Sequence, residues 1–134
     1  MARTAIQPVD MADPRPRYTH GWRVGNTVYV AGQLALDKDG KLVGPGDIVA
    51  QFRQICLNLH AVLLARAGQL NDIVKLTIFV LDKSAYKARA KEIGPVYREF
   101  FGRHYPAMTF LEVKGLYDDD QGCLIEIEAV AVVD

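Results

Sequence analysis

The 134-residue chain has one serine, two cysteines, three histidines and no excess of either charge, with 16 basic against 16 acidic side chains. Each scarcity excludes a class of chemistry. The lone serine stands in Ser84-Ala85-Tyr86-Lys87, formally the S-x-x-K of penicillin-interacting enzymes, but neither S-D-N nor K-T-G accompanies it, so Ser84 is read as the start of a helix. Cys56 and Cys123 lie far apart with no C-x-x-C or Cys/His ligand spacing, which points to a reducing cytoplasm. Cys123 follows Gly122 with no histidine beside it, so it reads as a small buried strand residue rather than a nucleophile. His20, His60 and His104 lack the i, i+4 spacing of a helical zinc pair, and Asp118-Asp119-Asp120 lacks the alternation of a calcium loop, so no metal is expected. Balanced charge argues against nucleic acid as a partner, because that affinity comes from clustered Lys and Arg. No run approaches the roughly 18 apolar residues of a membrane span, and Met1-Ala2-Arg3-Thr4 leads into no signal-like stretch. The expectation is a cytoplasmic, unprocessed protein with no membrane partner.

What is present is 50% hydrophobic residues in a length that suits one domain over residues 1–134. Pro14-Arg15-Pro16 reads as an extended approach to a hairpin of Tyr18 to Val24, a Gly25-Asn26 turn, and Thr27 to Ala31. Breaks follow at Asp37-Lys38-Asp39-Gly40 and at Val43-Gly44-Pro45-Gly46. Asp47 sits where an N-cap belongs, ahead of Ile48, Phe52, Ile55, Leu59, Val62 and Leu63 at helical spacing, with Gly68 as the stop. Asp72 to Leu81 is short, β-branched and apolar on both sides, so it predicts a strand covered on both faces. A second helix is expected from Asp82–Ser84 toward Phe100 and Gly102, with Tyr86, Ala90, Ile93, Tyr97 and Phe100 on one face and a kink near Gly94 forced by Pro95. Lys83, Lys87, Arg89 and Lys91 form its wet face. Strands Ala107 to Val113 and Cys123 to Val133 close the chain around a polar turn at Asp118–Gly122. That order predicts an α+β fold, a mixed sheet with two helices packed on one face.

The second face of the long strand then needs a cover, and another copy of the chain is the simplest, which predicts a homo-oligomer. The last strand carries Glu126 and Glu128 on one side and Ile125, Ile127, Ala129 and Ala131 on the other. A carboxylate in that apolar segment would be desolvated and its pKa raised, the making of a general acid/base, unless the strand lies at a rim and both glutamates are wet.

The residues that follow one another here resemble the YjgF/RidA proteins, reactive-intermediate deaminases with the older label L-PSP endoribonuclease. The matches are Val24-Gly25-Asn26-Thr27-Val28-Tyr29-Val30, Ala31-Gly32-Gln33, Gln51 with Asn58-Leu59, Asp72-Ile73-Val74-Lys75, Tyr97 with Phe100-Phe101, Tyr105-Pro106-Ala107 and Ile125-Glu126-Ile127-Glu128-Ala129. No single piece is specific; their order and spacing over Tyr18 to Val132 are. The resemblance implies a chorismate-mutase-like fold and a homotrimer whose sheets form an inner barrel, with a small-molecule cleft at each subunit interface. It implies cofactor-free hydrolysis of enamines and imines such as 2-aminoacrylate to keto acids and ammonia. In that picture Glu126 activates the attacking water, Tyr18 borders the pocket, and Ala31, Gly32, Ala107, Met108 and Thr109 line it.

The chain departs from the family pattern at the substrate end. Where the active deaminases place an arginine after Pro-Ala to grip the substrate carboxylate, this chain has Met108, and a thioether makes no bidentate, charge-assisted contact. The usual serine before Gly-Gln is Ala31, the usual asparagine of the second helix is Gly94, and the loop before Glu126 carries the acidic insert Asp118-Asp119-Asp120. Three readings stand: a deaminase for a substrate other than 2-aminoacrylate, with Arg17 or Arg23 as a replacement cation if that substrate is acidic; a non-enzymatic ligand-binding trimer; and an RNA-directed activity.

Overall fold

The computed structural model describes residues 2–134. Alternation of side chains along the strands builds one six-stranded sheet, in the order β1-β2-β3-β6-β4-β5. Its strands are β1 (Arg3–Ile6), β2 (Gly21–Val24), β3 (Thr27–Gln33), β4 (Ile73–Val80), β5 (Ala107–Glu112) and β6 (Ile125–Val132). Only β4 and β5 run parallel; the other neighbours are antiparallel. Helix α1 (Ile48–Leu64) packs on β3 and β6 and against α3 (Ala90–Phe101), with the short α2 (Lys83–Ala88) between β4 and α3. Val28, Val30, Leu76, Ile78, Ile125, Ile127, Ala129 and Ala131 are buried under the helices, so the expected mixed sheet with helices on one face is what forms. No helix among the described residues is long and apolar enough to cross a membrane.

α1 follows the sequence closely. The Asp47 carboxylate accepts from the Val49 and Ala50 N–H groups, satisfying two of the free donors at the helix start. All six expected apolar residues are buried. The stop differs in detail: the left-handed residue is Ala67, φ 61°, and Gly68 follows it with its N–H on the Leu63 carbonyl at 2.8 Å. Gly68 is needed for closeness instead, since a Cβ there would lie 3.0 Å from Val133 Cγ2 and 3.1 Å from that carbonyl.

Three other expectations are corrected. The N-terminal segment adds β1, an edge strand paired to β2, where only an extended approach was expected; Pro14-Arg15-Pro16 itself turns, with Arg17 N–H on the Pro14 carbonyl at 3.1 Å. β2 starts at Gly21, so Tyr18 precedes the sheet. The second helix breaks at Arg89, φ −106° and ψ 11°, not at Gly94. Pro95 lies inside α3, where it removes the N–H that would meet the Lys91 carbonyl; both residues are exposed, so water can meet that carbonyl.

The opposite sheet face has no cover among the described residues. Trp22, Tyr29, Leu111 and Val132 are exposed there, beside half-buried Phe79 and Val130.

Candidate functional site

The site begins with an irregularity in β3. Val30 pairs with Ala129 and Gln33 with Ile127, so β3 carries one residue more than β6 over this stretch, a bulge at Ala31-Gly32. The bulge stands beside the β6 strand that presents Glu126 and Glu128 on the uncovered face. Glu126 is half-buried and Glu128 exposed, so the two glutamates share a side but not an environment. Burial pushes the Glu126 carboxyl above the ordinary carboxylate range, and the negative charge of Glu128 adds to it. Gly32 makes that position reachable: a Cβ on it would overlap Glu126 Oε2 and lie 2.9 Å from Cδ.

A buried polar chain underpins the bulge. The His20 ring meets the Ala12 carbonyl through Nε2 at 2.8 Å and the Gln33 side-chain amide through Nδ1 at 3.3 Å. The same Gln33 amide donates to the Ala31 carbonyl at 3.2 Å. Tyr18 stands edge-on to His20, ring centres 6.3 Å apart, and faces the pocket. Burial raises the Tyr18 phenol pKa, Arg17 opposes the rise, and Glu126 and Asp118 reinforce it, so Tyr18 is a neutral hydroxyl at working pH.

The mouth is shaped by the acidic loop. Arg17 Nη1 donates to the Tyr117 hydroxyl at 2.8 Å and its guanidinium lies 5.4 Å from the centre of that ring. Gln51, buried in α1, ties the loop's far end: its amide donates to the Gly44 and Gly122 carbonyls and its oxygen accepts from Leu124 N–H, all at 2.8 Å. Asn58, further along α1, donates to the Leu34 and Leu36 carbonyls at 3.1 and 3.0 Å. The result is a cleft of about 370 Å³ whose walls include Arg17, Tyr18, Ala31, Gly32, Leu34 and Glu126.

Five residues singled out in the sequence, Arg17, Tyr18, Ala31, Gly32 and Glu126, therefore meet in one cleft. Ala107, Met108 and Thr109 do not reach it within one chain, because β5 is the edge strand beyond β4. Met108 pairs in register with Leu76 and points to the helix side, into a separate apolar cavity of about 300 Å³ shared with Tyr86, Gly94 and Tyr97. Thr109 is on the uncovered face, where Lys75 Nζ donates to its hydroxyl at 2.6 Å.

Sequence reasoning assigned no role to Gln33, His20, Leu34, Leu36 or Tyr117. Gln33 carried a signal in hindsight, a polar residue in an apolar strand that is only 3% exposed. The loop residues carried none.

Other candidates fall away. Cys123 and Cys56 are fully buried, and burial pushes their thiols up to about 11 and about 12, so neither is poised as a thiolate. Ser84 sits in the first turn of α2, its N–H on the Asp82 carboxylate at 2.9 Å. Among the described residues no group of three or more His, Cys, Asp or Glu side chains is placed to hold a metal.

Comparison with known proteins meets this geometry. The chain is 35% identical over 133 residues to a protein named 3-aminoacrylate deaminase RutC from Acinetobacter baylyi, covering 99% of this chain and 100% of that one. It is 30% identical over 115 residues to the 2-iminobutanoate/2-iminopropanoate deaminase of Mus musculus, covering 86% and 80%. The crystal structure of a putative endoribonuclease from Thermotoga maritima superposes with a TM-score of 0.85 at 31% identity, over 100% of this chain and 99% of that one. Residues 10–133 match the family described as Endoribonuclease L-PSP. With nearly the whole length matched in sequence and in fold, the chain belongs to that family, the YjgF/RidA proteins.

Proposed function

We propose that the protein is a cofactor-free deaminase that hydrolyses a small imine or enamine. The observation that carries this reading is the Glu126 carboxylate, half-buried and seated against the backbone of Gly32 in a cleft fit for a small molecule. A carboxylate whose pKa is raised by burial is a stronger base than an ordinary one, so it suits taking a proton from water.

Water adds to the electrophilic carbon of the protonated imine while Glu126 accepts one of its protons. A carbinolamine results. Glu126 returns that proton to the nitrogen, the C–N bond breaks with its electron pair leaving on ammonia, and the carbonyl forms as the hydroxyl gives its proton to the freed Glu126 carboxylate, which passes it to the ammonia. An enamine first takes a proton on carbon to become the imine. In balance, one protonated imine and one water give one carbonyl compound and one ammonium ion, with nothing oxidised and Glu126 returned to its carboxylate form. The Tyr18 hydroxyl and the Ala31-Gly32 backbone line the space where the reacting carbon sits. The names of the two deaminase relatives support this chemistry.

The substrate differs from 2-aminoacrylate, because Met108 stands where the family resemblance puts the carboxylate-gripping arginine. The working unit is a homotrimer with an inner barrel, supported by the uncovered face bearing Trp22, Tyr29, Leu111 and Val132. In that assembly Ala107, Met108 and Thr109 of one copy would complete the cleft of the next.

The test is ammonia release from freshly generated imines by purified protein, with Glu126→Gln as control. Acceleration that disappears in the control is the expected result. No acceleration with acidic or neutral imines would overturn the hydrolase and leave a ligand-binding trimer.

A further inference from the structure

The cleft contains one cation, and its chemistry is unspent. Arg17 makes none of the ion pairs found among the described residues. Of the five N–H donors on its guanidinium only one has a partner among the described residues, the Tyr117 hydroxyl. That partner orients without neutralising: the hydroxyl fixes one nitrogen at 2.8 Å and the guanidinium carbon stands over the ring, 5.4 Å from its centre. The remaining donors belong to a side chain that lines the same cleft as Glu126. Both Arg17 and Tyr117 are exposed, at the mouth, whereas Glu126 is half-buried, deeper in.

We infer that Arg17, held by Tyr117, is the residue that binds the carboxylate of an acidic substrate, and that this carboxylate is separated from the reacting carbon rather than attached to it. The inference rests on the deaminase reading of Glu126 and names the substrate class for that site. A guanidinium takes a planar carboxylate through two parallel hydrogen bonds, which fixes orientation as well as charge. The cleft also presents Asp118, whose carboxylate works against any anion and narrows what is accepted. A substrate that is cationic at the iminium nitrogen and anionic at its far end matches Glu126 deep in the cleft and Arg17 at its mouth. A purely neutral imine would leave the cation unused.

Binding of unreactive product-like ketones separates this claim from the hydrolase claim. The probes are 4-oxopentanoate, with a distant carboxylate, pyruvate, with an adjacent one, and neutral 2-pentanone, each titrated by NMR into the full chain. Wild-type protein should bind 4-oxopentanoate most tightly. Arg17→Gln should weaken it about tenfold to a hundredfold while leaving 2-pentanone within about twofold. Arg17→Lys should recover part of the loss, Tyr117→Phe should cost a smaller factor, and Asp118→Asn should tighten 4-oxopentanoate. Because Arg17 is on an exposed turn, thermal melts should confirm that these variants fold like the parent. An Arg17→Gln protein with unchanged affinity for 4-oxopentanoate, or a wild type that prefers pyruvate or 2-pentanone, overturns the assignment. Absence of ammonia release from any imine overturns the hydrolase alone, since the binding result is read independently of turnover.

Discussion

The carboxylate of Glu126 lies against the α-carbon of Gly32, two residues that come from β6 and from the bulge in β3, and it occupies the space that any side chain on residue 32 would need. Gly32 is not among the glycines with positive φ, so its backbone suits an L-residue. The demand for glycine here is therefore about room alone.

Gly32→Ala should accordingly fold but displace the Glu126 side chain. Ammonia release should fall about tenfold or more, mostly in kcat, if the carboxylate handles the proton in the transition state. Circular dichroism and steady-state rates on the same preparation check this, and a fully active Gly32→Ala protein would separate the carboxylate's position from catalysis.

The pH dependence has a sign. Burial and Glu128 raise the Glu126 pKa, so the active carboxylate form fills in only as pH climbs past a value above the usual carboxylate range. Activity should show an acid limb there, and Glu128→Gln should shift that limb to lower pH. Stability runs the other way. A carboxyl with a raised folded-state pKa penalises folding above that pKa, and the penalty vanishes below the unfolded value of 4.5. Glu126→Gln should melt higher than the parent at neutral pH and no higher in acid.

Gln51 tests what holds the mouth in place. Replacing it with leucine leaves the Leu124 N–H and the Gly44 and Gly122 carbonyls without this partner in a buried setting. The cost should be about 2 to 4 kcal/mol, measured by urea denaturation.

Both cysteines should resist alkylation in the native protein at neutral pH and react in urea. Their thiols are fully buried and shifted up to about 12 for Cys56 and about 11 for Cys123. Rapid native labelling of Cys123 would show that the loop before β6 opens.

Much of this fold was legible from local pattern. The Asp47 cap, the buried stripe of α1, the strand at Ile73–Val80 and the alternation that puts Glu126 opposite Ile125 and Ile127 all follow from periods of 3.6 and 2 and from one capping carboxylate. β1 was missed because Arg3-Thr4-Ala5-Ile6 has too few apolar residues to register; its pairing with β2 defines it. The helix break was misplaced because Pro95 is a louder local signal than Arg89, yet an exposed turn tolerates the lost hydrogen bond.

By itself, then, the sequence determined most of the elements, the covered face of the sheet, the side on which Glu126 points and the family resemblance, but neither β1 nor the break at Arg89. Only the tertiary structure decided that an extra residue bulges at Ala31-Gly32, that Gly32 leaves space for the Glu126 carboxylate, and that Arg17 reaches Tyr117, 100 residues away. Within a single chain it also separated Met108 from that cleft, across β4 and on the helix side. The physical reason is that periodicity records which way a side chain faces along its own element. Contacts between distant segments depend on strand order and register, which leave no repeat in the chain to read.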